Sequence, residues 1–331
     1  MFPEVDPNAV EPVGVVIPAG PEAAELVTGK QASTSSFAVV ARAVRHSPSA
    51  MIGLAILVVL ILIALLAPLI APYNVNVQAG KPFTHPGGGH LLGLDDGGYD
   101  VFSLLMWGLR VSLLVGFAAT FVASGVGSVV GIVAGYFGGA WDSILMRITD
   151  YFLVIPALPL MISVADIWGP SLFHTIVVIG VLSWTVTALV VRAQARTVKE
   201  RVYVKRERSI GASHRWVISH HVLPQLVPLI VANTVLNISY AIFLETALAF
   251  LGLGDPNLVS LGTMIQHAFL ASAVVQGAWW AIVPPGVLVA VIILACSLFG
   301  RAIEDAFNPR LRAANLGARS FTRIRVSKDR G

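Results

Sequence analysis

Six stretches of this chain are apolar for long enough to cross a lipid bilayer, and no other feature limits the fold as strongly. At about 1.5 Å of rise per residue, roughly 20 helical residues span the ~30 Å of bilayer hydrocarbon. The stretches cover, approximately, residues 51–72, 107–137, 144–167, 172–191, 222–252 and 279–302. Of the 331 residues 56% are hydrophobic and only 12% charged, whereas soluble domains carry about 25% charged side chains. A soluble enzyme of this composition would have to hide nearly every surface position, so lipid is the expected solvent. Runs this long, without a ten-residue alternation, predict helices rather than a barrel. The expected fold is all-α: a polytopic membrane protein with six transmembrane helices.

Basic side chains set the expected orientation. With the amino terminus in the cytoplasm, all but Lys81 and Arg110 of the 22 Lys and Arg residues fall in the two tails or in the loops near 138–147 and 192–221. Both termini are then expected to be cytoplasmic. Residues 1–36, acidic and without sustained period, read as a disordered tail rather than a signal peptide. Residues 37–106 should hold a short amphipathic surface helix, the first span and a long outer loop. Residues 107–303 form the core, and 304–331 a basic cytoplasmic tail. Two long outer loops, 73–106 and 253–278, are candidates for contact with whatever delivers a solute. Cys296 is the single cysteine, which excludes a disulfide within the chain. The net charge of +4 is too small to point to nucleic acid.

Catalytic groupings are missing. Gly29-Lys30 is followed by Gln31 and lacks the upstream glycine of a phosphate loop, and neither His-Glu-x-x-His nor Gly-x-Ser-x-Gly occurs. No catalytic residue is assigned, and ATP-driven work would fall to a separate subunit. The loop at 192–221 is the most unusual segment: Arg192, Arg196, Lys199, Arg201, Lys205, Arg206, Arg208 and Arg215 oppose only Glu200 and Glu207. Its pattern predicts a short helix over 203–210, a small-residue bend at Gly211-Ala212-Ser213, and a second short helix ending at Leu223-Pro224. Such a knuckle, with no bulky side chain at its tip, can enter a groove on a partner. A large side chain at Gly211 is expected to overpack the bend.

At this loop the chain resembles the inner-membrane permease subunits of ABC importers, in the dipeptide/oligopeptide/nickel group and its C-type subunit. The family pattern is Glu-Ala-Ala, three residues, Gly, nine residues, then Ile-x-Leu-Pro. Gly211 and the run His221-Val222-Leu223-Pro224 keep that spacing, while Lys205-Arg206-Glu207 stand at the Glu-Ala-Ala positions. Residues 90–103 are similar to the outer-loop pattern Gly-Thr-Asp-x-x-Gly-Arg-Asp-Val-Phe-Ser, with Leu94 and Tyr99 replacing Thr and Arg. Residues 138–156, 245–254 and 299–311 resemble three further family segments, so the likeness covers roughly 40–312. The resemblance implies a type I ABC importer transmembrane domain that binds no cofactor itself. ATP and Mg would sit in two partner ATPase domains, docked on Lys205, Arg206, Glu207, Gly211, Ala212, Ser213, Leu223 and Pro224. It further implies a homologous B-type permease partner, an extracytoplasmic binding protein and a peptide substrate. Nickel or another small solute is the alternative within the group, and an ATP-independent secondary transporter the alternative outside it.

Other polar residues carry weaker signals. Asp95, Asp96 and Asp100 with His85 and His90 fit neither an EF-hand nor a zinc spacing, so no metal site is assigned. Gly127, Gly131 and Gly135 recur every four residues and permit close helix approach. Asn233, Asn237 and Tyr240 fall within about 60° on a helical wheel. They either line the translocation path or bond neighbouring helices. Glu245, about 120° from that stripe, either supports an outer gate or interface or is simply hydrogen-bonded.

Overall fold

The computed structural model describes residues 47–307, and every described element is helical. The expected tail at 1–36, the amphipathic helix at 37–46 and residues 308–331 of the expected tail at 304–331 lie outside the described residues. Helix α1 (Pro48–Ile70) starts at a Ser47 cap, whose hydroxyl accepts the Ala50 amide, with Pro48 in the first turn where its missing N–H costs nothing. Helix α2 (Val101–Phe137) begins at Asp100, whose carboxylate accepts from the Ser103 amide, and it runs for 37 residues. Helices α3 (Gly139–Val154) and α4 (Ala157–Trp168) follow, then α5 (Leu172–Leu182) and α6 (Trp184–Lys199). The basic segment holds α7 (Val202–Ser209) and α8 (His214–Val217), and a π turn (Ile218–Val222) leads into α9 (Leu223–Phe250). Helices α10 (Leu261–Leu270) and α11 (Trp279–Phe307) complete the described chain.

Several sequence boundaries change. The third span is not one rod: α3 and α4 meet at 87° around Ile155-Pro156. Proline has no N–H for the ladder and its ring displaces the preceding residue from helical geometry, so the run breaks there. The fourth span continues to Lys199, beyond the expected limit of 191, because helical backbone persists where hydropathy stops. The last helix likewise runs to Phe307, past the expected core limit at 303. Five helices or continuous helix runs are long and apolar enough to cross a membrane, and the bent pair makes a sixth among the described residues. The protein is a multi-pass membrane protein.

Helix α2 is the central element, packing along α6 and also against α9, α5 and α1. Its glycines explain the closeness to α6. A methyl group at Gly131 would lie 2.6 Å from the Ala188 carbonyl oxygen, and one at Gly135 would lie 2.6 Å from that of Arg192. Backbone therefore touches backbone along two turns. Lipid tails are as apolar as leucine, so this contact, rather than hydrophobic burial, holds the pair. Gly131→Leu is expected to cost about 1–3 kcal/mol by overpacking, read as a lowered thermal midpoint in detergent. Gly125→Ala, which meets nothing within 4 Å, should leave the midpoint unchanged or raise it.

Candidate functional site

The basic knuckle is built on the ends of three long helices. Its underside is apolar: Val204, Val217 and Val222 are fully buried against Tyr136, Val191, Val198 and Leu226. Helix α7 closes through paired bonds, from the Gly211 amide to the Arg208 carbonyl and from the Ala212 amide to the Glu207 carbonyl, both 3.1 Å. This is a Schellman closure, which puts the residue after the cap in the left-handed region; Gly211 sits at φ +92°. The expected packed bend is wrong in its reason. A side chain at Gly211 would meet nothing within 4 Å, so what reserves the position for glycine is backbone angle and not space.

The second arm also differs from expectation. The Ser213 hydroxyl caps α8 by accepting the Trp216 amide at 3.3 Å, but α8 does not end at Leu223-Pro224. It widens into the π turn and continues as α9, with Pro224 in that helix's first turn. Residues 214–250 thus form one continuous rod. Tyr136 of α2 and the Nδ1 of His214 are 3.1 Å apart, which ties the rod's start to α2. Asp142 of α3 accepts from Arg192 of α6 through both oxygens, the Nη2 bond measuring 2.8 Å. Outward, Arg201, Lys205, Arg206, Arg208 and Arg215 are exposed together with Val202, Ile210 and Trp216. Lys205 is 2.7 Å from Glu200, an exposed pair of little energetic weight. Glu207 is half-buried.

Farther along α9, Asn233 and Asn237 both donate to the Thr187 hydroxyl of α6, at 2.8 and 2.9 Å. Thr234 donates to Ser124 of α2 at 2.9 Å. Three helices are thereby stitched at one level. Tyr240, on the same side of α9, is exposed. Glu245 is buried and accepts from Ser112 of α2 at 2.9 Å. The Ser112 hydroxyl in turn accepts the Leu261 amide at 3.2 Å, so Glu245 joins α2, α9 and α10. The helical wheel singles out Asn233, Asn237 and Tyr240, with Glu245 apart from them, but not Thr234, Thr187, Ser124 or Ser112. Isolated hydroxyls in apolar runs were the available signal for them.

At the end opposite the knuckle, the two long loops enclose a cavity of about 290 Å³ lined by Asp95, Asp96, Tyr99, Asp255, Gln266 and His267. The first loop is itself folded. Asp100 receives the Ser103 amide and hydroxyl on one oxygen and meets His90 with the other at 2.9 Å. Trp280 of α11 donates to the Leu94 carbonyl at 3.0 Å. Burial raises Asp95 to about 6, with neighbouring Asp96 adding to the rise; the Tyr99 and Gly97 amides and His267 pull the other way.

Residues 127–313 match the family described as the binding-protein-dependent transport system inner membrane component, and residues 35–85 match the N-terminal TM domain of oligopeptide transport permease C. The dipeptide transport system permease protein DppC of Haemophilus influenzae is 35% identical over 277 residues, covering 81% of this chain and 92% of that protein. The chain belongs to this permease family. The DppC protein of Bacillus subtilis is 33% identical over 273 residues, covering 82% of this chain and 85% of the relative. A permease protein of Brucella ovis is 34% identical over 282 residues, covering 84% and 93%. The permease match includes the knuckle, the α2–α6 contact from Gly127 onward, the bonds of Asn233 and Asn237 to Thr187, and Glu245.

Asp95 sets a pH dependence. Because its folded pKa lies above the ordinary 3.8, its contribution to loop stability is fully present below that value and is lost as pH rises through about 6. Asp95→Asn keeps an oxygen for the Gly97 and Tyr99 amides and carries no charge. The variant should flatten this loss, measured as amide hydrogen exchange of residues 79–100 between about pH 4 and pH 7.

Proposed function

We propose that this permease is one half of the pathway of an ATP-driven peptide importer, paired with a homologous B-type permease and driven by two separate ATPase domains. The relatives named as dipeptide transport permeases support peptide as the substrate class. The asymmetry of basic residues supports cytoplasmic termini and a cytoplasmic knuckle, on the side where ATPase domains would bind ATP and Mg. An extracytoplasmic binding protein then meets the loops 73–106 and 253–278. The chain contributes no ATPase site of its own; it contributes the lever.

One observation carries the reading: the knuckle is anchored on α2, α6 and α9 at once. Anything that docks on its exposed face moves three spanning helices, not a loop. Lys205, Arg206 and Glu207 on α7, the Gly211-Ala212-Ser213 turn, and Leu223-Pro224 at the head of α9 form the docking segment. ATP shifts the equilibrium between inward and outward states only if the ATPase domains bind it differently in the two, and the docked knuckle conveys that difference. Asn233, Asn237 and Tyr240 line the path, and Glu245 holds the outer end where α2, α9 and α10 meet.

Gly211→Val tests the coupling. A side chain at φ +92° costs about 1–2 kcal/mol, and relief requires the turn to change shape. The expected result is normal insertion, with peptide-stimulated ATP hydrolysis of the assembled complex falling on the order of tenfold. Stimulation equal to the parent would remove this segment as the contact.

A further inference from the structure

The α9 stitch leaves two atoms unused. Asn233 and Asn237 each spend their amide nitrogen on the Thr187 hydroxyl, and neither amide oxygen has a hydrogen-bond partner among the described residues. Both side chains are partly exposed, on the helix face that also presents the exposed Tyr240. An amide oxygen turned toward hydrocarbon would forfeit its hydrogen bond, so this strip calls for a donor. Each amide is tied on its nitrogen side. Thr187, which fixes the nitrogen side of both amides, packs against Gly127, where an added methyl group would lie 2.6 Å from the Thr187 Cβ.

The backbone spacing of the two asparagines matches one class of donor. Four helical residues separate the two asparagines, a rise of about 6 Å. Along an extended peptide, N–H groups on one edge recur every second residue, about 6.6–6.8 Å apart. We propose that Asn233 and Asn237 form a two-rung acceptor ladder for main-chain N–H groups of an extended peptide crossing the pathway. This rests on the reading of the chain as a peptide permease and adds the recognised group. Such a ladder ignores side chains, as passage of peptides of varied sequence requires, and amides already tied at nitrogen lose little freedom on binding.

The test uses the complete complex in proteoliposomes with saturating binding protein, so that capture is not limiting. Uptake of tetra-alanine is compared with that of its analogue methylated at every amide nitrogen. In the parent, methylation should lower initial uptake on the order of tenfold, the loss of one to two net hydrogen bonds. In the Asn233→Ser, Asn237→Ser double variant, uptake of tetra-alanine should fall by a similar factor and the methylation effect should shrink to less than about twofold. An undiminished methylation effect in the double variant overturns the ladder and leaves the asparagines as helix ties alone. If the double variant does not assemble, the parent still decides: peptide uptake indifferent to methylation refutes the ladder while leaving the peptide reading intact. Failure of the parent to take up any peptide refutes both.

Discussion

Everything else in this molecule depends on the backbone contact between α2 and α6. A helix pair in lipid gains nothing from hiding apolar surface, because its surroundings are already apolar. What remains is dispersion between closely fitted atoms, and it weakens steeply with a small gap. Gly127, Gly131 and Gly135 remove the side chains that would create that gap, and the facing positions on α6 are Thr187, Ala188, Val191 and Ala195. The two helices thus form a single beam. Helix α6 leads through Glu200 into the knuckle, and α2 meets the same knuckle through Tyr136 and His214.

Polar side chains extend the beam where packing alone would not specify register. Near its middle, Thr187 receives two amide donors and Ser124 one hydroxyl, adding α9. At the knuckle end, Asp142 and Arg192 add α3. At the opposite end, Glu245 and Ser112 add α10, whose Leu261 amide completes the set. Hydrogen bonds of this kind are modest individually in membranes, averaging about 0.6 kcal/mol. Spread over the length of one beam they select a single arrangement of helices. This is what the proposed lever needs: rigidity between the point of force and the point of action.

Much of this was legible in the sequence, for identifiable reasons. Six apolar runs, the glycine spacing in α2, the small-residue turn at Gly211 and the polar stripe on α9 are local patterns, and local patterns are written in consecutive residues. What was not legible depended on distance or angle. The run 144–167 reads as one span despite Pro156, and the 87° turn there is not written in its apolar pattern. The continuity of α8 with α9 escaped because His214 to Val222 is polar enough to resemble a separate surface helix, although Val217 and Val222 are fully buried. Gly211 was read as a packed position, whereas its surroundings are open and its backbone angle is the constraint. Thr187 lies 46 residues from Asn233, and nothing in a single sequence joins them.

A direct measurement of the beam is the distance between spin labels at Arg206 on the knuckle and at Phe121 on the outward face of α2, taken by pulsed electron resonance on the assembled transporter. Both positions are exposed, so labels should not disturb the packing. If α2, α6 and the knuckle move as one body, the distance distribution is the same with and without nucleotide on the proposed ATPase domains, while the distance from Arg206 to the proposed partner permease changes. A nucleotide-dependent shift in the Arg206-to-Phe121 distance would mean that the knuckle moves on its own and that the glycine contact is not the beam described above.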